Sequence, residues 1–286
     1  MSKTMINGVF LIDKDCQTTS RKLDNQVGRL FGIKKVGHVG TLDPLATGLM
    51  LVAVNEGTKA IPFLEDATKE YVASFQLGRL TTTLDLEGEE VLNQDVTKLS
   101  HDSLETTLRS FLGKITQIPP LTSAIKVDGV PLYKYAHKNI KFDVPAREVT
   151  IFSIDLIDYI HPIFTIKTTV SSGTYIRTLG NDIAHKLGTV ATTVKLRRTK
   201  VGNFHVDAAK NLENLRENDI IGLGQLLSHI PTALVDESQL RQVQVGAKIE
   251  LIDAAERVKI VHEDKLLAIY QKIEEQTYQC LRGFNL

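Results

Sequence analysis

Twelve residues, GHVGTLDPLATG at 37–48, constrain this chain more than any other stretch. Three glycines, one proline, one histidine and a single carboxylate, Asp43, stand there between a helical pattern and the unbroken apolar run LMLVAV at 49–54. The segment reads as a loop held between a helix and a strand, a place where reactive side chains tend to sit. It is not a phosphate-binding glycine loop, having neither G-x-x-x-x-G-K-[ST] nor G-x-G-x-x-G. By spacing alone Asp43 is either a turn former, since Asp before Pro favours turns for local reasons, or a reactive acid.

Periodicity supplies the neighbouring elements. GVFLID at 8–13 has the pattern of a short buried strand. Residues 18–32 set Leu23, Val27 and Leu30 on one helical face, with Thr19 or Ser20 as cap and Gly32 as stop. EYVASFQLG at 70–78 alternates as a strand, and the polar stretch 79–90 after it reads as a loop. A helix is predicted over 102–113, capped by Asp102 or Ser103, with Leu104, Leu108 and Phe111 on one face. Residues 118–148 hold prolines and lysines without periodicity and read as a long, exposed basic excursion. Strands are expected at 150–160 and 163–170, then a helix from about Thr174 to Lys186 stopped by Gly188. Beyond residue 230 the texture changes to short strands and turns, with HEDK at 262–265 as a hairpin turn. The fold class is therefore mixed α/β, with a body at 1–229 and a small β-rich appendage at 230–286.

A chain of 286 residues, 42% hydrophobic and 24% charged, is long enough for one large domain and a small one. No apolar run approaches the roughly 20 residues that span a bilayer, and the start lacks a secretory pattern, so the expected location is the cytoplasm. Cys16 and Cys280 stand at opposite ends without CxxC spacing, which argues against a disulfide framework or a zinc site. The net charge is zero, but residues 101–200 hold 14 Lys and Arg against 8 Asp and Glu. That basic third includes Lys126 and the tight group Lys195, Arg197, Arg198 and Lys200. Charge alone leaves open an ordinary solvated surface or a nucleic-acid contact.

Four ordered blocks decide between such readings: GHVGTLDPLATGLMLVAVNEGTK at 37–59, KEY at 69–71, SSGTYIRTL at 171–179 and LRRT at 196–199. In these the chain resembles the TruB-type pseudouridine synthases, the enzymes named for uridine 55 of tRNA. Weaker agreement runs through 13–20, 117–129, 132–136 and 246–269, so most of the chain is covered. The resemblance implies a pseudouridine-synthase catalytic domain with a central, mostly antiparallel sheet and a PUA-like C-terminal module. It implies isomerisation of a flipped-out T-loop uridine without cofactor or metal. Asp43 is carried over as the catalytic carboxylate, either nucleophile or base. Arg177 is its implied partner, expected to keep the acid ionised by lowering its pKa. Tyr71 is placed against the flipped uracil and Leu196 on the other side of the base pocket, with Tyr175 in the wall. His38, Lys59, Lys126, Arg197 and Arg198 are expected to meet RNA, and the excursion 118–148 to clamp it.

The expected partner is tRNA, bound by a monomer with no obligatory protein partner and no membrane. The alternative is a tRNA-binding or folding chaperone of the same fold. Several positions depart from the family pattern: Asp15 stands where proline is usual, Gln17 where glycine is, Thr82 replaces an acid, Thr122 an aromatic, and AHKN at 136–139 a usual AReG. These changes bear on RNA affinity and substrate choice and leave Asp43, Tyr71 and Arg177 in place.

Overall fold

In the computed structural model, residues 6–120, 126–127, 130–131, 144–252 and 255–285 are described. The first strand, β1 (Gly8–Lys14), leads through Thr19 into helix α1 (Ser20–Phe31). The Thr19 hydroxyl accepts from Lys22 N, and Gly32 closes the helix in the left-handed conformation, φ 69°, with its N–H donating to Gly28 O. Leu23 and Val27 are buried as expected, but Leu30 is half exposed and Phe31 takes the inner position instead. Its ring stacks on Phe10 of β1 with centroids 4.9 Å apart, a partner that sequence spacing does not display.

Strands β2 (Val36–Val39) and β3 (Thr47–Val54) flank the Asp43 loop, and β4 (Lys69–Leu77) follows a 3-10 turn. The polar stretch expected as a loop instead opens a hairpin, β5 (Arg79–Thr81) and β6 (Glu90–Asn93), whose strands of three and four residues are too short to show a period. Helix α2 (His101–Arg109) is capped by Ser100, two or three residues before the expected Asp102 or Ser103, with Leu104 and Leu108 buried. Then come β7 (Gly113–Gln117), the two-residue strands β8 (Lys126–Val127) and β9 (Val130–Pro131), β10 (Arg147–Ile160) and β11 (Ile163–Val170). The expected RNA clamp at 118–148 falls largely outside the described residues, and Lys126 is placed only by its backbone in β8. Helix α3 (Ile176–Lys186), β12 (Ala191–Val201) and β13 (Phe204–His205) complete the body.

Among the described residues one nine-stranded sheet has the path β1-β3-β12-β4-β11-β10-β7, with β2 paired to β3 and β13 to β12. All its pairings are antiparallel except β12 with β3. β12 is thus an interior strand between β3 and β4, with Arg198 opposite Tyr71 on one side and opposite Gly48 on the other. A second, five-stranded sheet is built from 232–234, 249–250, 257–262, 265–272 and 277–283. Its hairpin turns at Glu263 and Asp264, both at positive φ, which matches the right-handed twist of the flanking strands. Val9, Leu11, Leu49 and Leu51 of the first sheet share one buried apolar cluster with Leu266 and Ile269 of the second and with Phe284 just after it. Among the described residues no helix is long and apolar enough to cross a membrane.

Candidate active site

Asp43 is the first residue of a β-turn, with Ala46 N donating to Asp43 O at 3.0 Å and Pro44 fixing the next φ. Three residues of one stretch, 14–20, fasten this turn from outside. Gln17 N donates to Pro44 O at 2.8 Å, and Lys14 Nζ reaches Pro44 O at 3.3 Å while also donating to Asp15 O and Thr18 O at 2.9 and 2.7 Å. Ser20 Oγ donates to Leu42 O and accepts from Leu42 N, both at 2.9 Å. Lys14 is almost fully buried, which lowers its pKa, so a charged group is held in the interior to organise the loop. The backbone of Asp43 therefore makes the turn, while its carboxylate leaves it and faces α3.

There it meets Arg177, 134 residues away in the chain: Nη2 donates to Oδ1 at 3.1 Å and Nε lies 2.8 Å from Oδ2. The same guanidinium donates through Nη1 to Thr83 O at 2.7 Å and stands 3.5 Å from Asp85 Oδ2. Asp85 is buried and accepts from the Thr83 hydroxyl and, at 3.0 Å, from Glu87 N. Its loop is tied to the sheet by Thr193 N donating to Leu84 O at 2.9 Å, with Leu84 itself at φ 63°, a left-handed conformation costing about 1–2 kcal/mol. Arg177 thus links two acids, and the second, Asp85, is an acid that the family pattern keeps in this loop but to which the sequence reading assigned no part in the site.

Burial raises the Asp43 pKa; Arg177 pulls it down and the Asp85 charge pushes it further up, with a net rise. This corrects the expectation that the arginine partner holds the acid below its ordinary range. One cation is shared by two carboxylates, and the carboxyl sits deep in a cleft. Burial, with Asp85 and Asp43 adding to it, raises Glu87 as well.

The cleft is a cavity of about 900 Å³ lined by Asp43, Arg177, Tyr71, Leu196, His38 and Tyr175, among others. Tyr71 and Leu196 stand on neighbouring strands and are each 7% exposed, giving an aromatic and an aliphatic wall. His38 is held at the rim by Asp24 Oδ2 at 2.8 Å and Thr41 Oγ1 at 3.1 Å. Tyr175 is fixed through its backbone, which exchanges hydrogen bonds with the Gln117 amide at 3.0 and 3.3 Å.

The other expected RNA contacts are placed differently. Arg198 is fully buried, donating to Leu49 O at 2.8 Å and Gly40 O at 2.9 Å and lying against the Tyr71 hydroxyl. Outward and inward positions alternate along β12, so of two consecutive arginines only Arg197 reaches solvent. Arg197 is itself engaged by Asp13, Nη1 to Oδ1 at 3.0 Å and Nη2 to Oδ2 at 2.7 Å. Lys59 is drawn away from the cleft, pairing with Glu56 at 2.7 Å and donating to Gly283 O at 3.0 Å. Among the described residues no cluster of His, Cys, Asp or Glu has the makings of a metal site, and both cysteines are free thiols.

The sequence model of the TruB family pseudouridylate synthase N-terminal domain matches residues 28–176, and that of the tRNA pseudouridylate synthase B C-terminal domain matches residues 177–245. The tRNA pseudouridine synthase B of Clostridium tetani is 36% identical over 280 residues, covering 94% of this chain and 97% of that protein. That of Geobacter sulfurreducens is 44% identical over 214 residues, 74% and 70% of the two chains. Among solved structures, a chain of a Cbf5-Nop10-Gar1 complex superposes with a TM-score of 0.75 at 23% identity, covering 98% of this chain and 85% of that one, which speaks to the fold.

Proposed function

Since this chain belongs to the TruB family of pseudouridylate synthases, we propose that it isomerises the T-loop uridine of tRNA to pseudouridine. It does so on a base flipped out of the loop, as a cytoplasmic monomer needing neither cofactor nor protein partner. Residues 1–229 form the catalytic part and 230–286 the module that docks the body of the tRNA. The reaction breaks the bond from ribose C1′ to uracil N1, turns the base, joins C1′ to C5 and releases the C5 proton. Asp43 attacks C1′ or removes a proton from the ribose, and both roles need its ionised form. The observation that carries this reading is the Asp43–Arg177–Asp85 arrangement at the base of a cleft walled by Tyr71 and Leu196.

Each residue then has a chemical task. Arg177 orients the carboxylate through a hydrogen bond from Nη2 and an ion-pair contact from Nε of one planar fork, a two-point arrangement which a lysine cannot make. Tyr71 and Leu196 receive the two faces of the uracil, replacing the stacking lost when the base leaves the loop, a cost of a few kcal/mol. His38 meets the RNA at the rim. The test is to incubate the protein with an unmodified tRNA transcript and map pseudouridine: T-loop product is expected from the wild type and none from Asp43→Asn. Undiminished product from Asp43→Asn sinks the assignment, and salt-dependent binding without product supports the chaperone reading instead.

A further inference from the structure

Lys69 is a buried lysine that the Asp43–Arg177 chemistry does not use. It stands two residues before Tyr71 on β4, hence on the same face of the strand, and lines the same cleft. Only 6% of it is exposed. Its Nζ donates to Glu65 O at 2.9 Å and Ala67 O at 3.0 Å. An ammonium carries three donors, so among the described residues one remains unassigned.

The surroundings are electrically incomplete. Gly40, three residues before Asp43, leaves only tight room for a side chain because Lys69 Cε and Arg198 Nη1 lie 3.2 and 3.3 Å from where a Cβ would be. Two cations thus lie side by side beneath the loop, and among the described residues neither has a carboxylate within ion-pair distance. Glu65 and Asp66 act on Lys69 only from a distance, Arg198 opposes its charge from β12, and Tyr71 neighbours it along β4. Burial, aided by Arg198, brings the Lys69 pKa down to about 8. Elsewhere in the cleft wall Asp43 shares Arg177 with Asp85, which is buried behind it. The cleft therefore presents a carboxylate suited to a ribose and, at Lys69, a cation suited to an anion, and a nucleotide carries both groups a few bonds apart.

Resting on the function proposed above, we infer that Lys69 is a phosphate-binding residue of the cleft, receiving a backbone phosphate of the nucleotide whose base lies against Tyr71. Holding the 65–67 turn through two carbonyls needs no charge, whereas closing over a phosphate does. The phosphate completes a cation pair that folding leaves uncompensated. Binding needs the protonated amine, so affinity is full below about pH 8 and falls as pH rises through it.

The experiment compares wild type, Lys69→Gln and Lys69→Met in binding an unmodified T-arm hairpin RNA over a range of salt and from neutral to alkaline pH. Single-turnover rates at saturating RNA and thermal melts accompany it. Expected are an affinity loss of about tenfold in both variants and a salt slope shallower by roughly one. The alkaline loss of wild-type affinity should vanish in both, and the saturated rate should stay within about threefold. Variants that bind with the wild-type salt slope and pH response overturn the inference, whether or not they melt earlier, as does a lost rate at unchanged affinity. Pseudouridine formation by the wild type is scored separately: its absence refutes the T-loop reading without touching the binding comparison, and its presence leaves that comparison to decide Lys69.

Discussion

Replacing Arg177 by methionine keeps much of the side chain's length and removes every polar contact it makes. Lost are the two-point contact with Asp43, the bond to Thr83 O and the approach to Asp85. Removing one partner of a buried ion pair costs about 3–5 kcal/mol. The Asp43 side chain is 33% exposed to the cleft, so solvent screens part of that loss and about 2–3 kcal/mol is appropriate. If the interaction is made in the transition state, that corresponds to roughly a hundredfold lower single-turnover rate. The pH dependence sharpens the prediction. The Asp43 pKa is already raised above its ordinary value by burial, with Arg177 opposing the rise. Without Arg177 it rises further, so the acid limb of the rate moves to higher pH. The sign for stability follows: a carboxyl whose folded pKa lies above its unfolded value binds more protons when folded, so the variant gains stability as pH falls through that window and loses it as pH rises. Release of tritium from C5-labelled uridine in a tRNA transcript, followed from pH 5 to 8, measures the rate. A variant within threefold of wild type at neutral pH, with an unmoved acid limb, would falsify the role given to Arg177.

Four further substitutions probe the surroundings. Arg198→Met leaves Gly40 O and Leu49 O without their buried donor and should lower unfolding free energy by about 2–5 kcal/mol in urea titrations; a loss confined to salt-dependent RNA affinity at unchanged stability contradicts its burial. Gly180→Ala puts a Cβ 2.0 Å from the Phe75 ring, and α3 must shift to relieve it, so a loss of about 1–3 kcal/mol with a reduced rate is expected by calorimetry and turnover. Gln17 holds a left-handed φ of 61°, and Gln17→Gly should raise stability by about 0.5–1 kcal/mol; a lower melting temperature contradicts the strain. Lys59→Ala removes a peripheral contact to Glu56 and Gly283 and should change RNA affinity by less than twofold and stability by at most about 1 kcal/mol.

Elements whose signal is local were legible. Thr19 and Gly32 bound α1 through side-chain and backbone preferences acting within one turn. The 262–265 turn and the paired strands 147–160 and 163–170 have the same local origin. The β5–β6 hairpin was not legible, because strands of three and four residues are too short to show a period. Nor was the inward turn of Phe31 in place of Leu30, since it depends on where Phe10 lies across the sheet. Lys14 and Ser20 belong to a weakly matching segment, and their work on the Asp43 turn consists of contacts across 30 and 22 residues.

The sequence by itself determined that an acid in a proline turn leads into an apolar strand, and, through four motif blocks, which family that turn belongs to; it did not show that a strand, β2, rather than α1 leads into the turn. Caps, turns and period-2 or period-3.6 burial act between near neighbours and so are written in order along the chain. Tertiary structure alone decided which cations meet which acids. It turned Arg198 inward and Arg197 outward, joined Arg177 to both Asp43 and Asp85, and set Lys69 beside Arg198 without an ion-paired acid of its own. The direction of the Asp43 pKa is decided there as well, because burial and the number of carboxylates sharing one guanidinium are sums over the folded surroundings that no motif records.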